Sequence, residues 1–127
     1  MKIFLMKTSS GDYEDYFEFI EGAFLSRENC QKAILEYNDR LHYKKTMAQV
    51  IKEIIAEVCE PLFDKYRDTD EFVYDTKEFI DAVREEIKDL PYEVSDDDIT
   101  NIAYGGYELW ELHDATMQEV EVLDVEQ

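Results

Sequence analysis

The side chains of this sequence that could do chemistry are mainly carboxylates. The stretch Asp68-Thr69-Asp70-Glu71 resembles the start of a calcium-binding loop. Such a loop needs a glycine at its sixth position and a glutamate at its twelfth. This chain has Val73 and Phe79 at those positions. The sequence therefore predicts no calcium site in this segment.

Three consecutive aspartates, Asp96 to Asp98, form the densest acidic run. They stand where a short helix is predicted to begin, and negative charge in a first helical turn interacts favourably with the helix dipole. This interpretation is preferred to a metal cluster. His42 and His113 have no neighbours at the spacing of zinc ligands. We therefore expect neither a bound metal nor another cofactor.

Motifs of enzymes are also missing from the sequence. It has no G-x-S-x-G element, and no phosphate-binding pattern surrounds Gly105 and Gly106. With 32 acidic residues, pairs of carboxylates suited to acid–base catalysis arise by chance. We expect a protein that is not an enzyme.

Cys30 and Cys59 lie on the apolar faces of predicted helices, which predicts buried free thiols.

The net charge of −19, from 32 acidic and 13 basic residues, limits the classes of partner. Such a surface repels phosphate backbones and anionic lipids, so direct binding to nucleic acid or membranes is not expected. A basic protein surface would be attracted.

The sequence has no apolar run of the roughly 18 residues that a membrane span needs. It begins with no secretory signal, so we expect a cytoplasmic location.

The negative charge is unevenly distributed along the chain. Residues 8–26 carry five acids and no base, and residues 89–127 carry twelve acids and no base. Residues 27–67 are almost balanced, with seven acids and eight bases. If the two acidic regions meet in the fold, they form one electronegative face. If they do not, the acids form a generic surface that favours solubility.

The candidate partner-binding face contains acids from both regions. These are Asp12, Glu14, Asp15, Asp96, Asp97, Asp98, Glu108, Glu111, Asp114, Glu119 and Glu121.

The pattern of apolar residues predicts a single α+β domain over residues 1–127. Strands are predicted at 2–7 and 16–24, with a bulge at Gly22, and a C-terminal hairpin is predicted at 107–113 and 118–125. The acids of the two hairpins would then lie on neighbouring strands. Helices are predicted at 27–41, 47–66, from Asp75 to about residue 89, and from Ser95 to Gly105. Thr46 with Gln49, and Asp75 with Glu78, have the spacing of capping boxes, so Thr46 and Asp75 are predicted to cap the second and third helices. Ser95 is predicted to cap the fourth. Pro61 should kink or divide the second helix. The expected architecture is an antiparallel sheet of about four strands packed against about four helices.

Aromatic and basic residues supply further candidates. Tyr104, Tyr107 and Trp110 lie in the acidic C-terminal region and are either core residues or exposed interface anchors. Arg40, Lys44 and Lys45 cluster near the predicted end of the first helix. They either balance the charge of the helix C-terminus or form a small anion pocket.

Two segments of the chain resemble an uncharacterised family of small phage and prophage domains. The first, from Asp15 to Cys30, fits the pattern D-Y-x-x-x-I-x-G-x-F-x-[ST] on a strand that leads into a helix. The second, from Glu119 to Asp124, fits the acidic strand that ends those domains. The resemblance leaves out the central helices and implies no catalytic residue.

Small, very acidic phage proteins are often antagonists of host defence, such as anti-restriction and anti-CRISPR proteins that resemble DNA in charge. By this analogy, the chain is expected to act in the host cytoplasm as a DNA mimic. It would bind a basic nucleic-acid-binding effector. A first alternative is a homo-oligomeric sponge that sequesters a nucleotide-derived immune signal in the basic pocket. A second is a structural or housekeeping phage protein whose acidity is incidental.

Overall fold

The computed structural model describes residues 1–106 and 108–123, and within these ranges it has three strands and three α-helices. In chain order these are β1 (Lys2–Ser10), β2 (Phe17–Phe24), α1 (Arg27–Lys65), α2 (Lys77–Ile87), α3 (Asp96–Ala103) and β3 (Thr116–Glu121). The predicted α+β class is confirmed. The sheet has three strands instead of about four, and there are three helices instead of about four.

Residue contacts divide the chain into two compact units. The first comprises Met1–Lys44 and Glu108–Gln127, and the second comprises Lys45–Tyr107. α1 contributes its first part to the first unit and the rest to the second. None of the helices in the described ranges has an apolar stretch long enough to cross a membrane.

The sheet of the first unit has the strand order β2-β1-β3, with both pairs antiparallel. Its register shifts where β1 faces the middle of β2: Met6 pairs with Gly22, whereas Lys7 pairs with Ile20. Glu21 is therefore the extra residue of a bulge. The irregularity predicted at Gly22 is confirmed.

The core of the first unit lies between one face of this sheet and the start of α1. Phe4 and Met6 of β1, Cys30 of α1 and Ala115 are buried. Partly buried apolar side chains pack around them, namely Phe24, Ala33, Ile34, Tyr37 and Met117. Burial of a Phe or Met side chain contributes about 1.5–3 kcal/mol. This packing fixes the ends of the strands, where the candidate acids lie.

The two helices predicted at 27–41 and 47–66 are a single helix, α1. The predicted capping box at Thr46 and Gln49 is wrong, because the backbone stays helical through residues 42–46. That segment contains no glycine or proline, so nothing in it breaks the ladder of backbone hydrogen bonds. Pro61, predicted to kink or divide this helix, does not divide it, since α1 continues to Lys65.

The second unit is helical, and each of its three α-helical segments contributes apolar side chains to its core. Its fully buried side chains are Ala48, Ile51, Phe79, Val83 and Ile99.

Ser95 caps α3 as predicted, because its hydroxyl accepts a hydrogen bond from the Asp98 amide at 3.1 Å. The N-cap of α2 is Thr76, whose hydroxyl accepts from the Phe79 amide at 3.2 Å, rather than the predicted Asp75. Cys30 and Cys59 are buried free thiols, as predicted.

The predicted C-terminal hairpin is wrong. Glu108–Glu111 forms a 3-10 turn, and β3 pairs with β1 instead of with the segment before it. The central apolar strand has two free edges, and it takes β2 on one side and β3 on the other. Acids of β2 and β3 are thus separated by β1 and do not lie on neighbouring strands. The predicted strand residues Tyr107, Asp124 and Val125 lie outside the described residues.

Candidate binding surfaces

The turn after β1 presents three of the candidate acids. Gly11 adopts a positive φ of 81°, which lets the chain turn sharply into the 3-10 segment Tyr13–Asp15. The Asp15 amide then donates to the Asp12 carbonyl oxygen at 3.1 Å. Asp12, Glu14 and Asp15 are all exposed on this turn.

The segment before β3 is held against this same turn. The Gly11 amide donates to the Glu111 carbonyl oxygen at 2.9 Å, and the His113 amide donates to the Ser9 carbonyl oxygen at 3.0 Å. The Nε2 atom of His113 also lies 2.8 Å from the Gly11 carbonyl oxygen. Exposed Glu111 is thereby brought beside the turn. We call Asp12, Glu14, Asp15 and Glu111 the acidic end.

Histidines lie close to two carboxylates in this region. The Nε2 atom of His113 is 3.9 Å from an oxygen of Asp12, whose side chain is 84% exposed. The Nε2 atom of His42 is 2.6 Å from an oxygen of Asp114. Asp114 is therefore paired with α1, whereas Glu14, Asp15 and Glu111 have no ion pair with any described residue.

Candidate acids on β3 lie opposite basic groups. Glu119 lies 3.5 Å from the ammonium of Lys2 and 3.3 Å from the guanidinium of Arg27. Glu121 lies 3.2 Å from the N-terminal ammonium of Met1. These cations, from the start of β1 and the start of α1, reduce the negative field of both glutamates. The acidic end thus has more uncompensated carboxylates than the strand.

A similar pairing occurs on β2. Lys7 lies 3.1 Å from Glu18 and lowers the pKa of that carboxyl. The Tyr16 hydroxyl, which donates to Glu18 at 3.0 Å, lowers the pKa further.

The aspartate run Asp96 to Asp98 belongs to the second unit, where it forms the first turn of α3. Arg84 donates to Asp96 from both Nε, at 2.8 Å, and a terminal nitrogen, at 2.5 Å. Asp97 is exposed and Asp98 is partly buried. The predicted position of these aspartates in the first turn of a helix is confirmed. The side chain of Glu108, another candidate acid, lies outside the described part of the structure.

The candidate aromatic anchors have different environments. Tyr104 is 51% exposed and its hydroxyl donates to Asp75 at 2.5 Å, which raises the pKa of the tyrosine. Trp110 is partly buried in the first unit. Tyr107 lies outside the described residues.

Two of the three candidate anion-binding residues share a cavity. Arg40 and Lys44, one helical turn apart on α1, line a space of 250 Å³ together with Tyr37, Leu41 and Leu112. Burial raises the pKa of Tyr37, and the nearby carboxylates Glu21 and Asp114 raise it further. Lys45 is not among the residues lining this cavity.

Sequence reasoning missed an aromatic cluster in the second unit. The rings of Phe72 and Tyr104 stack with their centroids 5.8 Å apart and their planes inclined by 15°. Tyr74 meets both edge-on, at 5.1 Å and 5.3 Å, and lies 5.3 Å from the buried ring of Phe79. Phe63 lies edge-on to Tyr74 at 6.1 Å. Phe72 is 51% exposed and Phe63 is 46% exposed.

A cavity of 430 Å³ adjoins this cluster. Phe72 and Tyr66 are its aromatic lining residues. Its charged lining residues are Asp70, Glu71, Asp75, Lys77 and Glu78, four carboxylates against one ammonium. Within residues 1–106 and 108–123, no group of three or more histidine, cysteine or acidic side chains could hold a metal ion. The excess of carboxylates suits this cavity to binding a positively charged group.

Comparison with protein-family models, curated proteins and solved structures finds no match to this chain.

Proposed function

We propose that this protein is a non-enzymatic inhibitor of a basic, nucleic-acid-binding protein, whose binding groove it occupies in place of DNA. Following the resemblance to phage and prophage domains, the target would be a defence effector in the host cytoplasm. The chain's own chemistry favours a cationic partner, because a net charge of −19 attracts lysine- and arginine-lined grooves and repels nucleic acid itself.

The observation that carries the proposal is the convergence of carboxylates at the acidic end. Asp12, Glu14 and Asp15 come from the N-terminal turn and Glu111 from the C-terminal region, and backbone hydrogen bonds from Gly11 and His113 hold the two together. Like charges repel, so this arrangement has an electrostatic cost. A cationic partner would remove that cost by placing basic groups among the carboxylates.

The test is capture of partners from bacterial lysate at low salt, followed by competition with double-stranded DNA. We expect added DNA to displace the captured protein. We also expect the dissociation constant to rise about tenfold or more between about 50 and 200 mM salt, as for contacts to phosphate. A partner that DNA does not displace, or an affinity independent of salt, would contradict the proposal.

A pair of charge-matched variants locates the binding surface. One variant neutralises the acidic end through Asp12→Asn, Glu14→Gln, Asp15→Asn and Glu111→Gln. The control neutralises four exposed acids of α1 through Glu36→Gln, Asp39→Asn, Glu57→Gln and Glu60→Gln. Both lose four charges. Only the first should lose most of its affinity, whereas equal losses would indicate a nonspecific charge effect.

A second candidate function, sequestration of a nucleotide-derived signal by a homo-oligomer, is supported by the Arg40–Lys44 cavity. Two cations beside the Tyr37 ring could hold a phosphate against an aromatic surface. The volume of 250 Å³ lies just below the usual range for small-molecule sites, roughly 300–1,000 Å³. Thermal-shift measurements with a cyclic nucleotide and with ADP-ribose test it. A stabilisation that Arg40→Gln abolishes would support this candidate, and the absence of any shift would exclude it.

A further inference from the structure

The aromatic cluster of the second unit is exposed although it is anchored to the core. Tyr74 packs against Phe79, which is fully buried, while the outer rings Phe72 and Tyr104 remain about half exposed. Contiguous apolar groups at a surface, rimmed by polar ones, are typical of interaction sites. Aromatic rings of this kind are also the side chains that most often dominate binding energy at interfaces.

The rim of this cluster determines which partner fits it. Asp70 and Glu71 adjoin Phe72 in the lining of the cavity, and neither carboxylate pairs with a described base. Glu78 is different, because Lys65 already donates to both of its oxygens at 2.9 and 2.7 Å. Asp70 and Glu71 therefore remain available to an incoming cation. An anionic ligand would be repelled from the same rim.

We infer that Phe72, Tyr104, Asp70 and Glu71 form a docking surface for an arginine-bearing segment of the basic partner. A planar guanidinium can stack on an exposed aromatic ring while its N–H groups pair with a carboxylate in two parallel hydrogen bonds. A lysine ammonium offers neither the plane nor the fork. The inference rests on the proposed function for the basic character of the partner, and it adds the recognising residues and the preferred side chain.

The same combination of contacts occurs inside the first unit. The Arg27 guanidinium carbon lies 5.1 Å from the centre of the Phe4 ring, and a terminal nitrogen of Arg27 donates to Glu119 at 3.3 Å. This chain thus already holds one guanidinium between an aromatic ring and a carboxylate. In the second unit the ring and the carboxylates are present, and the guanidinium would come from the partner.

The test uses octa-arginine and octa-lysine peptides as probes of the full chain. Backbone amide NMR spectra are recorded during titration, and dissociation constants are measured by calorimetry at fixed salt. We expect octa-arginine to bind at least about threefold more tightly than octa-lysine. Its largest shifts should fall at residues 70–75 and 104. Equal affinity for the two peptides, or shifts that avoid these residues, would overturn the inference.

Two leucine variants with a matched control separate stacking from charge. Phe72→Leu and Tyr104→Leu keep an apolar side chain but remove the ring, and the control Phe17→Leu does the same at an exposed position of the first unit. We expect each patch variant to weaken octa-arginine binding about fivefold, with the control unchanged. Equal affinities for all the proteins would refute the role of the rings. Because the NMR mapping uses the unaltered chain, the result does not depend on how the variants fold.

Failure of this inference is distinguishable from failure of the proposed function. Octa-arginine shifts confined to Asp12–Asp15 and Glu111 would reject the aromatic surface and leave the acidic end as the site of binding. A captured partner that DNA cannot displace would reject the proposed function, whatever the peptides do.

Discussion

The hydroxyl of Tyr66 donates a hydrogen bond to a carboxylate oxygen of Glu78 at 2.7 Å. Lys65, the last residue of α1, donates to the same carboxylate, so the residues at the end of α1 are joined to the first turn of α2. The hydrogen bond from Lys65 and then the one from Tyr66 hold the pKa of Glu78 below its ordinary 4.5. The same contacts raise the pKa values of Lys65 and Tyr66.

These pKa shifts predict that the free energy of unfolding declines at both low and high pH. A carboxyl whose pKa is lower in the folded state stabilises fully above its unfolded value, and the effect is lost as pH falls through the folded value. For Tyr66 and Lys65, whose pKa values are raised, the contribution is present below the unfolded values and lost as pH rises through the folded ones. Glu78→Gln should therefore reduce the decline in the free energy of unfolding at both low and high pH. Urea unfolding at a series of pH values measures it. The exposed control Glu93→Gln should leave this decline unchanged, and identical profiles for the two variants would contradict this assignment.

Removal of the Asn38 amide should loosen the segment before β3. The buried Ala115 amide donates to Asn38 Oδ1 at 2.7 Å, and Asn38 Nδ2 donates back to the Ala115 carbonyl oxygen at 3.5 Å. Asn38→Ala leaves a buried N–H group without its partner, which typically costs about 1–3 kcal/mol. Chemical denaturation measures the loss. Asn29→Ala, an exposed position on the same helix, should cost much less, and an equal cost would refute the role of the bond.

A side chain at Gly11 should disturb the acidic end. Gly11 has a φ of 81°, and an added Cβ would lie 2.1 Å from the Asp15 carbonyl oxygen. Gly11→Ala should therefore destabilise the protein by about 1–3 kcal/mol and shift the NMR signals of Asp12 and Glu111. Gly106→Ala is the control, because nothing lies within 4 Å of its added Cβ. A neutral Gly11→Ala would contradict the turn described here.

The N-cap of α2 can be assigned by substitution. Thr76→Ala should lower the free energy of unfolding by about 1 kcal/mol, because it removes the acceptor for the Phe79 amide. Thr76→Ser keeps the hydroxyl and should retain most of the stability. If Thr76→Ser cost as much as Thr76→Ala in thermal unfolding, the hydroxyl of Thr76 would not be the cap.

Local signals in the sequence predicted local features well. Ser95, Gly22 and the first two strands follow from capping preferences, glycine in a strand and apolar patterning, which depend on a few neighbouring residues. Asp75 was the wrong cap because it ends the 3-10 turn Val73–Asp75, whereas Thr76 has the extended backbone of an N-cap directly before α2. The Asp75 carboxylate accepts instead from Tyr104, a residue distant in sequence. No local pattern carries that information.

The candidate site was predictable only in part. The uneven charge indicated that acids at residues 12–15 and 111 matter, but their proximity depends on backbone contacts of Gly11 with Glu111 and of Ser10 with Leu112, which join residues about 100 apart in the sequence. Phe72 precedes, and Tyr74 lies in, the 3-10 turn Val73–Asp75, which is too short to show a helical or strand period in the sequence. Their clustering with Tyr104 therefore depends on tertiary packing.

The position of β3 beside β1 has a consequence for synthesis on the ribosome. Almost the whole sequence separates Lys2 from its partner Glu121, so the sheet cannot be completed until the last strand has left the exit tunnel. Every residue of the second unit is translated before then, and this helical unit can fold first. During that interval Phe4 and Met6 lack their final cover. Nascent chains stalled before residue 116 should consequently be the form that chaperones bind most strongly.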